Sequence, residues 1–240
     1  MPIPVLVAAQ ERREAHGAVR YHIEGDLVPV LHLELETAPV YFDHYVLLWK
    51  EPTVQVGLKP NTKHLRRTRS GAPVYLTEAK GPGHIALGRN GAGHALTIPL
   101  QAGETIEVRE HQFIAATDNL DYSCTRMKGP ATILFGGTSF QIDTFTCQQS
   151  DGIVWVHGYG DIFEVTLKGG EQLDIEPGGW IYKDHSVSLQ SIEHRLATAL
   201  VGGEQIAWHR FTGPGRVGLQ SMYLHQTFNV QQIEKWAKYE

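Results

Sequence analysis

The sequence predicts an all-β protein built from three internal copies of one β-rich unit. Its 240 residues include 25 glycines and 12 prolines, which is typical of chains with many tight turns between short strands. Apolar and polar residues alternate over Leu31–Leu35 and Phe163–Leu167, the period-two pattern of strands with one buried face. The third observation is a repeat of about 65 residues, which indicates internal triplication.

Composition places the chain among globular proteins. With 42% apolar and 20% charged residues, it is neither a disordered nor a fibrous chain. No apolar run reaches the ~18–20 residues of a membrane-spanning helix, and the formal net charge of −5 argues against polyanions as default partners. The first residues lack the pattern of a secretory signal. We therefore expect a cytoplasmic protein with no membrane span.

The repeat is clearest between the second and third copies, which align without a gap. Gly103 in an Ala-Gly-Glu turn falls on Gly170 in a Gly-Gly-Glu turn, and the apolar residues around them coincide. Gly-Pro-Gly recurs in copies one and three and is lost from copy two. Proline has no N–H for a strand ladder, so this motif marks a tight turn before the last strand. The predicted structural turn residues are Gly81, Pro82, Gly83, Gly103, Gly170, Gly213, Pro214 and Gly215.

These boundaries give one domain over residues 1–240. Its predicted parts are an N-terminal arm at 1–20, repeat one at 21–90, repeat two at 91–157, repeat three at 158–224 and a C-terminal helix at 229–240. The helix has an N-capping pair in Asn229 and Gln232, and it is too short to be stable without docking. In repeat three, residues 192–201 predict a further short helix that ends at Gly202.

One basic segment lies in repeat one. We interpret residues 59–73 as a solvated loop, with nucleic acid or an anionic membrane surface as the alternative ligand. No aromatic residues interleave the charges, so base stacking is not indicated. Four side chains are the candidate anion contacts. They are Lys63, Arg66, Arg67 and Arg69.

The sequence contains no pair of histidines or pair of cysteines with metal-binding spacing, and no catalytic motif. The 13 histidines include no His-x-His and no His-x-x-x-His pair, the spacings that put two ligands on one face of a strand or a helix. Neither a nucleophile elbow nor a Walker motif is present. We predict no enzyme activity, no catalytic residue, no metal and no cofactor, with a metal site assembled from distant strands as the minor alternative. Cys124 and Cys147 are expected to be reduced thiols, although a disulfide is conceivable if their strands pair.

Four segments resemble one protein family. They are Tyr21–Glu36, Glu176–Gly178, Gly202–Glu204 and Arg210–Gln220. Together they resemble the altered-inheritance-of-mitochondria "twenty-four" family, a mitochondrial-biogenesis domain of unknown function, over nearly the whole chain. The resemblance implies an all-β fold similar to the tryptophan RNA-binding attenuation protein and to the double-stranded β-helix. It implies no catalytic residue.

Three functions remain as hypotheses. We expect three β-sandwich-like repeats about a pseudo-threefold axis, and our leading hypothesis is a non-enzymatic scaffold or binding protein. It would act as a homo-oligomer, for example a trimer, with an unknown protein or small molecule as partner. The first alternative, from analogy of fold, is a nucleic-acid-binding or transcription-related regulator, which the net charge disfavours. The second alternative is a cupin-like metalloenzyme.

Overall fold

The computed structural model describes residues 5–7, 14–16, 19–59, 76–127, 141–194 and 206–222. These residues form 21 strands and one short 3-10 helix, η1, at His44–Val46, and no α-helix occurs among them. The prediction of an all-β protein is therefore confirmed. The predicted C-terminal helix at 229–240 lies outside the described residues.

Each repeat contributes six strands, preceded by three strands from the N-terminal part. The first three are β1 at Val5–Leu6, β2 at Glu14–His16 and β3 at Val19–Glu24. Repeat one has β4 at Val30–Leu35, β5 at Val40–Phe42, β6 at Leu47–Lys50, β7 at Gln55–Lys59, β8 at Leu76–Lys80 and β9 at Gly83–Leu87. Repeat two has β10 at Gly93–Leu100, β11 at Thr105–Arg109, β12 at Phe113–Thr117, β13 at Leu120–Arg126, β14 at Gln141–Cys147 and β15 at Gly152–Tyr159. Repeat three has β16 at Ile162–Leu167, β17 at Gln172–Ile175, β18 at Trp180–Asp184, β19 at Ser188–His194, β20 at Ile206–Thr212 and β21 at Gly215–Gln220.

The six strands pair in the same way in every repeat. The last strand pairs with the first and the third, as β9 does with β4 and β6. The fifth strand pairs with the second and the fourth, as β8 does with β5 and β7. All these pairs are antiparallel. A repeat therefore supplies two three-stranded half-sheets, and the triplication seen in the sequence is a triplication of this pairing scheme.

Neighbouring repeats are joined by one strand pair. The second strand of one repeat pairs with the third strand of the next, β5 with β12 and β11 with β18. These two pairs create the sheets β10-β15-β12-β5-β8-β7 and β1-β16-β21-β18-β11-β14-β13. Within the described residues, the half-sheets at the two ends of the row of three repeats remain separate, as β2-β3-β4-β9-β6 and β17-β20-β19. Strand pairing in this part of the chain therefore forms two of the three junctions that a threefold arrangement has.

Two predicted boundaries fall inside strands. β15 continues to Tyr159, beyond the predicted end of repeat two at 157, and β3 begins at Val19, before the predicted end of the N-terminal arm at 20. The arm also supplies strands β1 and β2. The helix predicted at 192–201 is wrong over its first residues, because β19 runs to His194. Pairing of β19 along β20 satisfies the backbone there, and such tertiary contacts override a weak local helix propensity. Residues 195–201 lie outside the described part.

Alternating strand residues fill the core, as the period-two pattern predicts. Leu31, Leu33 and Leu35 of β4 are buried, and they pack in a cluster with Ile85 of β9 and Trp155 of repeat two. A second cluster combines residues of all three repeats around Phe113 and Phe145, and a third is centred on Trp180 and Phe211. Each cluster crosses a repeat boundary, so the repeats are packed as one unit in the described region.

The Gly-Glu turns of copies two and three are built alike. Gly103 has φ +90° and Gly170 has φ +80°, the left-handed region that glycine adopts without steric cost. In each turn the following glutamate, Glu104 or Glu171, accepts a hydrogen bond at 2.8 Å from the backbone N–H three residues before it. These carboxylates close turns in the structure.

The Gly-Pro-Gly turns need glycine for a different reason. A Cβ added at Gly213 would lie 2.4 Å from the carbonyl oxygen of Lys168, and one at Gly81 would lie 2.5 Å from that of Leu35. The turn between the fifth and last strands therefore lies directly against the end of the first strand. No side chain fits between these backbones.

The two cysteines are free thiols. β13 and β14 do pair, but their register places Cys124 opposite Asp143 and Cys147 opposite Leu120. Four residues therefore separate the two positions along the ladder, about 13 Å, and a disulfide needs Cα atoms within about 7 Å. The disulfide alternative is thus excluded in this fold.

Paired substitutions separate the two glycine roles. Gly213→Ala forces a Cβ into the Lys168 backbone, and we expect the free energy of unfolding to fall by about 3 kcal/mol. Gly103→Ala has open space around the new Cβ and only the cost of positive φ, about 1 kcal/mol. Urea denaturation of both variants measures the difference. Equal losses would contradict the close approach at Gly213.

Burial makes His209 sensitive to acid. His209 of β20 is 1% exposed, and its Nδ1 accepts a hydrogen bond at 3.2 Å from the Trp180 indole N–H. Burial, and secondarily the charge of Arg109, lower the pKa of His209 to about 4. Because the unfolded chain binds this proton near pH 6.5, the stability from neutral His209 is full above pH 6.5. It is lost as the pH falls through 4.

His209→Gln tests this acid sensitivity, because glutamine does not take up the proton. Between pH 7 and pH 4 the wild type should lose about 2–3 kcal/mol more free energy of unfolding than the variant, measured by chemical denaturation at each pH. His44→Gln, at an exposed position, is the control and should follow the wild type. Parallel pH profiles for wild type and His209→Gln would overturn the assignment.

Candidate functional site

The two ends of the row of repeats are edge strands. Among the described residues, β6 pairs only with β9 and β17 pairs only with β20. Their counterparts in the other repeats have partners on both sides: β12 lies between β15 and β5, and β11 lies between β14 and β18. β6 and β17 are therefore the two strands that a third junction would join.

β6 is apolar in sequence and exposed in the structure. Leu48 is 49% exposed and Trp49 is 51% exposed. The residues equivalent to Leu48 are Ile114 and Ile181, which are 1% and 0% exposed. The counterpart strands are covered by the neighbouring repeat, whereas among the described residues β6 has no strand on its other side.

A shared β-bulge fixes which residues are equivalent in the third strands. The pairing with the last strand skips one residue after Leu47 in β6, after Phe113 in β12 and after Trp180 in β18. Trp49 is then equivalent to Tyr182, and Lys50 to Lys183. Bulges of this kind re-aim the strand and set its register.

The second strands are aligned by their pairing with the fifth strands. Leu173 of β17 pairs with Phe211, as Ile106 of β11 pairs with Phe145. Asp174 is then equivalent to Glu107, and Ile175 is equivalent to Val108. The position that follows the apolar residue is acidic in both strands.

The junction between repeats two and three contains a buried ion pair. Lys183 lies opposite Glu107 in the β11–β18 ladder, with its Nζ 2.6 Å from the Glu107 Oε2. The two side chains are 5% and 15% exposed. The same Nζ donates a hydrogen bond at 2.7 Å to the carbonyl oxygen of Val187. A buried ammonium requires such partners, so the carboxylate from repeat two completes the environment of Lys183.

Of the two kinds of partner that Lys183 has, Lys50 has the carbonyl oxygen. Its Nζ donates at 2.9 Å to the carbonyl oxygen of Val54, four residues ahead, as Lys183 does to Val187. Within the described part of the chain Lys50 makes no ion pair. At the other end of the row, Asp174 is one-third exposed and is held by Arg210 at 2.7 Å to each carboxylate oxygen. The edges at β6 and β17 therefore carry opposite charges at equivalent positions of one junction.

A second cluster of polar side chains lies on the outer face of the same half-sheet as β6. His22 of β3 is directly opposite His32 of β4, and their rings stack at 4.5 Å. Glu24 Oε2 lies 3.7 Å from His22 Nε2 and 3.6 Å from His32 Nε2. His84 of β9 is hydrogen bonded to His32, with 2.9 Å between His84 Nε2 and His32 Nδ1. We call His22, Glu24, His32 and His84 the histidine cluster.

Comparison with protein families identifies the chain. A family model described as mitochondrial biogenesis AIM24 matches residues 21–222. The chain belongs to the AIM24 family. The family resemblance seen in the sequence is thereby confirmed.

This AIM24 family member is also similar to a solved structure. The crystal structure of protein SPYM3_0169 from Streptococcus pyogenes superposes with a TM-score of 0.68 and 21% sequence identity. The match covers 92% of this chain and 100% of that chain, and at this identity it shows the fold alone. A comparison with curated proteins gave no match. These matches do not confirm the likeness to the tryptophan RNA-binding attenuation protein, which stays a prediction.

The predicted site residues of this AIM24 family member fall in different places. Of the predicted turn residues, Gly83 and Gly215 are the first residues of β9 and β21, and the other six lie between strands. The candidate anion contacts Lys63, Arg66, Arg67 and Arg69 lie outside the described residues. In the part of the chain that is described, no helix is long and apolar enough to cross a membrane.

Sequence reasoning missed both the open junction and the histidine cluster. No two histidines have metal-binding spacing in the sequence, whereas His22 and His32 meet across two strands. One signal was available, because His22 and Glu24 have the spacing of two that puts side chains on one strand face. The open junction had no local signal, since it depends on which distant strands pair.

Proposed function

We propose that this AIM24 family member is a non-catalytic scaffold whose copies join head to tail. The edge strand β6 of one copy pairs with the edge strand β17 of the next. The observation that carries the proposal is that β6 and β17, which are edge strands among the described residues, correspond to the two halves of a junction that the chain forms twice internally. Addition of a strand at a sheet edge is an established mode of protein association.

The two internal junctions define the register of the proposed contact. In β11–β18, Val108 is opposite Tyr182 and Glu107 is opposite Lys183. By equivalence, Trp49 of one copy lies opposite Ile175 of the next, and Lys50 lies opposite Asp174. An aromatic residue facing a β-branched one and opposite charges facing each other are favourable cross-strand pairs. Lys50 then gains the carboxylate that Lys183 already has.

Burial gives a further reason for the contact. An exposed apolar edge strand invites uncontrolled pairing, and proteins normally cover such edges. Pairing of β6 with β17 satisfies the free backbone groups of both strands. It also removes Leu48 and Trp49 from water, as their counterparts at the internal junctions are removed. A copy of the chain supplies the matching edge.

The contact is heterologous, because different surfaces of the two copies meet. Such a contact closes into a ring if its rotation permits and otherwise extends into a filament. In either form the row of repeats continues from copy to copy. The features that recur in the repeats are turns and junction strands, which supports an architectural role without a catalytic step.

Charge reversal at Lys50 tests the proposal. Lys50→Glu places a carboxylate opposite Asp174, and we expect the association constant to fall at least about 10-fold, or 1.4 kcal/mol. Light scattering after size exclusion, over a range of protein concentrations, measures the effect. The wild type should exceed the mass of one chain, and Lys50→Glu should approach it.

Lys80→Glu is the matched control, with the same charge change at an exposed lysine on β8. It should associate like the wild type. A wild type that is monomeric at every concentration would contradict the proposal. So would equal association of wild type and Lys50→Glu.

A further inference from the structure

We propose that the histidine cluster binds a divalent transition-metal ion of the Zn²⁺ type through His22, Glu24 and His32. The three ligand atoms are all within 4.8 Å of one another. Imidazole nitrogen and carboxylate oxygen are the ligands that Zn²⁺ takes from proteins. The site lies beside the β6 edge, but none of its three ligands takes part in the proposed assembly contact.

Strand geometry brings the ligands together. His22 and Glu24 are two residues apart on β3, so both side chains project from one face of the sheet. The register of the β3–β4 pair sets His32 directly opposite His22. The core-facing neighbours Leu31 and Leu33 are fully buried and hold β4 in that register. Two ligands are thus fixed by a packed hairpin.

The separations suit an ion better than direct hydrogen bonds. Glu24 Oε2 lies 3.7 Å from His22 Nε2 and 3.6 Å from His32 Nε2, beyond the usual 2.7–3.2 Å for an N–H···O bond. A tetrahedral ion with bonds of about 2.0–2.1 Å holds its ligand atoms about 3.3 Å apart. A small contraction of the cluster therefore encloses an ion. Glu24 has space for this contraction, because its side chain is 72% exposed.

His84 orients the central ligand. The hydrogen bond between His84 Nε2 and His32 Nδ1 fixes the ring of His32 and, when His32 donates, leaves its Nε2 lone pair for the ion. Metal-binding histidines commonly have such a partner on the other ring nitrogen.

The remaining coordination position is open to solvent. Three ligands come from the chain, so a water or a group from another molecule completes a four-coordinate ion. Arg20 projects from the same face, and its charge is engaged by Glu34 at 2.8 Å and Glu36 at 3.4 Å. Its guanidinium is thereby held by carboxylates outside the histidine cluster.

Calorimetric titration of the full, tag-free chain with ZnCl₂ tests the site. We expect one Zn²⁺ per chain, with binding at least about 10-fold weaker in His22→Gln and in Glu24→Gln. The control is His94→Gln, at a histidine that also has a nearby carboxylate, Asp161 at 3.4 Å. It should bind like the wild type. A zinc-induced rise in melting temperature, absent from the ligand variants, is the second readout.

The outcomes separate the two proposals. Glu24 is largely exposed, so Glu24→Gln keeps the test valid even if a histidine variant does not fold. Lys50→Glu should retain full zinc affinity, because Lys50 is not a ligand. No saturable binding by the wild type, or equal binding by the wild type and the ligand variants, would overturn the site. Neither result would bear on strand pairing between copies.

Discussion

The pairing of a second strand with the third strand of the following repeat is the constraint on which the architecture depends. Within a repeat, the fifth strand is the centre of one half-sheet and the last strand is the centre of the other, but neither half-sheet is complete. A single ladder of three residue pairs at each junction turns half-sheets into full sheets. That ladder also brings residues of neighbouring repeats into common clusters. Without it, repeats two and three would expose β12 and β18, as repeat one exposes β6.

The two internal junctions use different chemistry at the same position. Ala116 faces Tyr41 in one ladder, whereas Lys183 faces Glu107 in the other. The Tyr41 hydroxyl is buried and donates to the carbonyl oxygen of Leu120, so that ladder needs no ion pair. Buried charges contribute little net stability, and their best-supported role is to specify register and partner. If β6 of one copy paired with β5 of another, Lys50 would lie opposite Tyr41, which has no carboxylate. In the proposed pairing with β17, Lys50 lies opposite Asp174.

The half-sheet at the start of the row combines both candidate features. The ring of Trp49 on the edge strand contacts that of His32, with 5.9 Å between their centroids. The histidine cluster therefore lies next to the edge that the proposed contact covers. In repeats two and three the corresponding half-sheets are already completed by strand pairing. The exposed edge strand and the histidine cluster therefore both lie in the half-sheet of repeat one that contains β6.

Features with a local cause were predictable from the sequence, and features that depend on long-range register were not. The alternation at Leu31–Leu35 and the turn glycines at 103 and 170 reflect strand burial and positive φ, which neighbouring residues determine. The helix predicted at 192–201 is wrong over residues 192–194, because these residues pair with β20 as part of β19.

The histidine cluster and the open junction required the fold itself. His84 reaches His32 across 52 residues of sequence. The equivalence of Lys50 and Lys183 became visible only through their shared bulge and the carbonyl four residues ahead. In both cases the pairing of distant strands creates the site, and no sequence spacing encodes it.

Disulfide trapping between two separately prepared chains tests the central claim most directly. One chain carries Trp49→Cys and the other carries Ile175→Cys, the two residues that the proposed register places opposite each other. Mixing under mild oxidation should give a disulfide-linked dimer that contains one copy of each. The register-shifted combination of Trp49→Cys with Asp174→Cys should give little. Equal trapping in both mixtures, or no mixed dimer in either, would contradict head-to-tail pairing of β6 with β17.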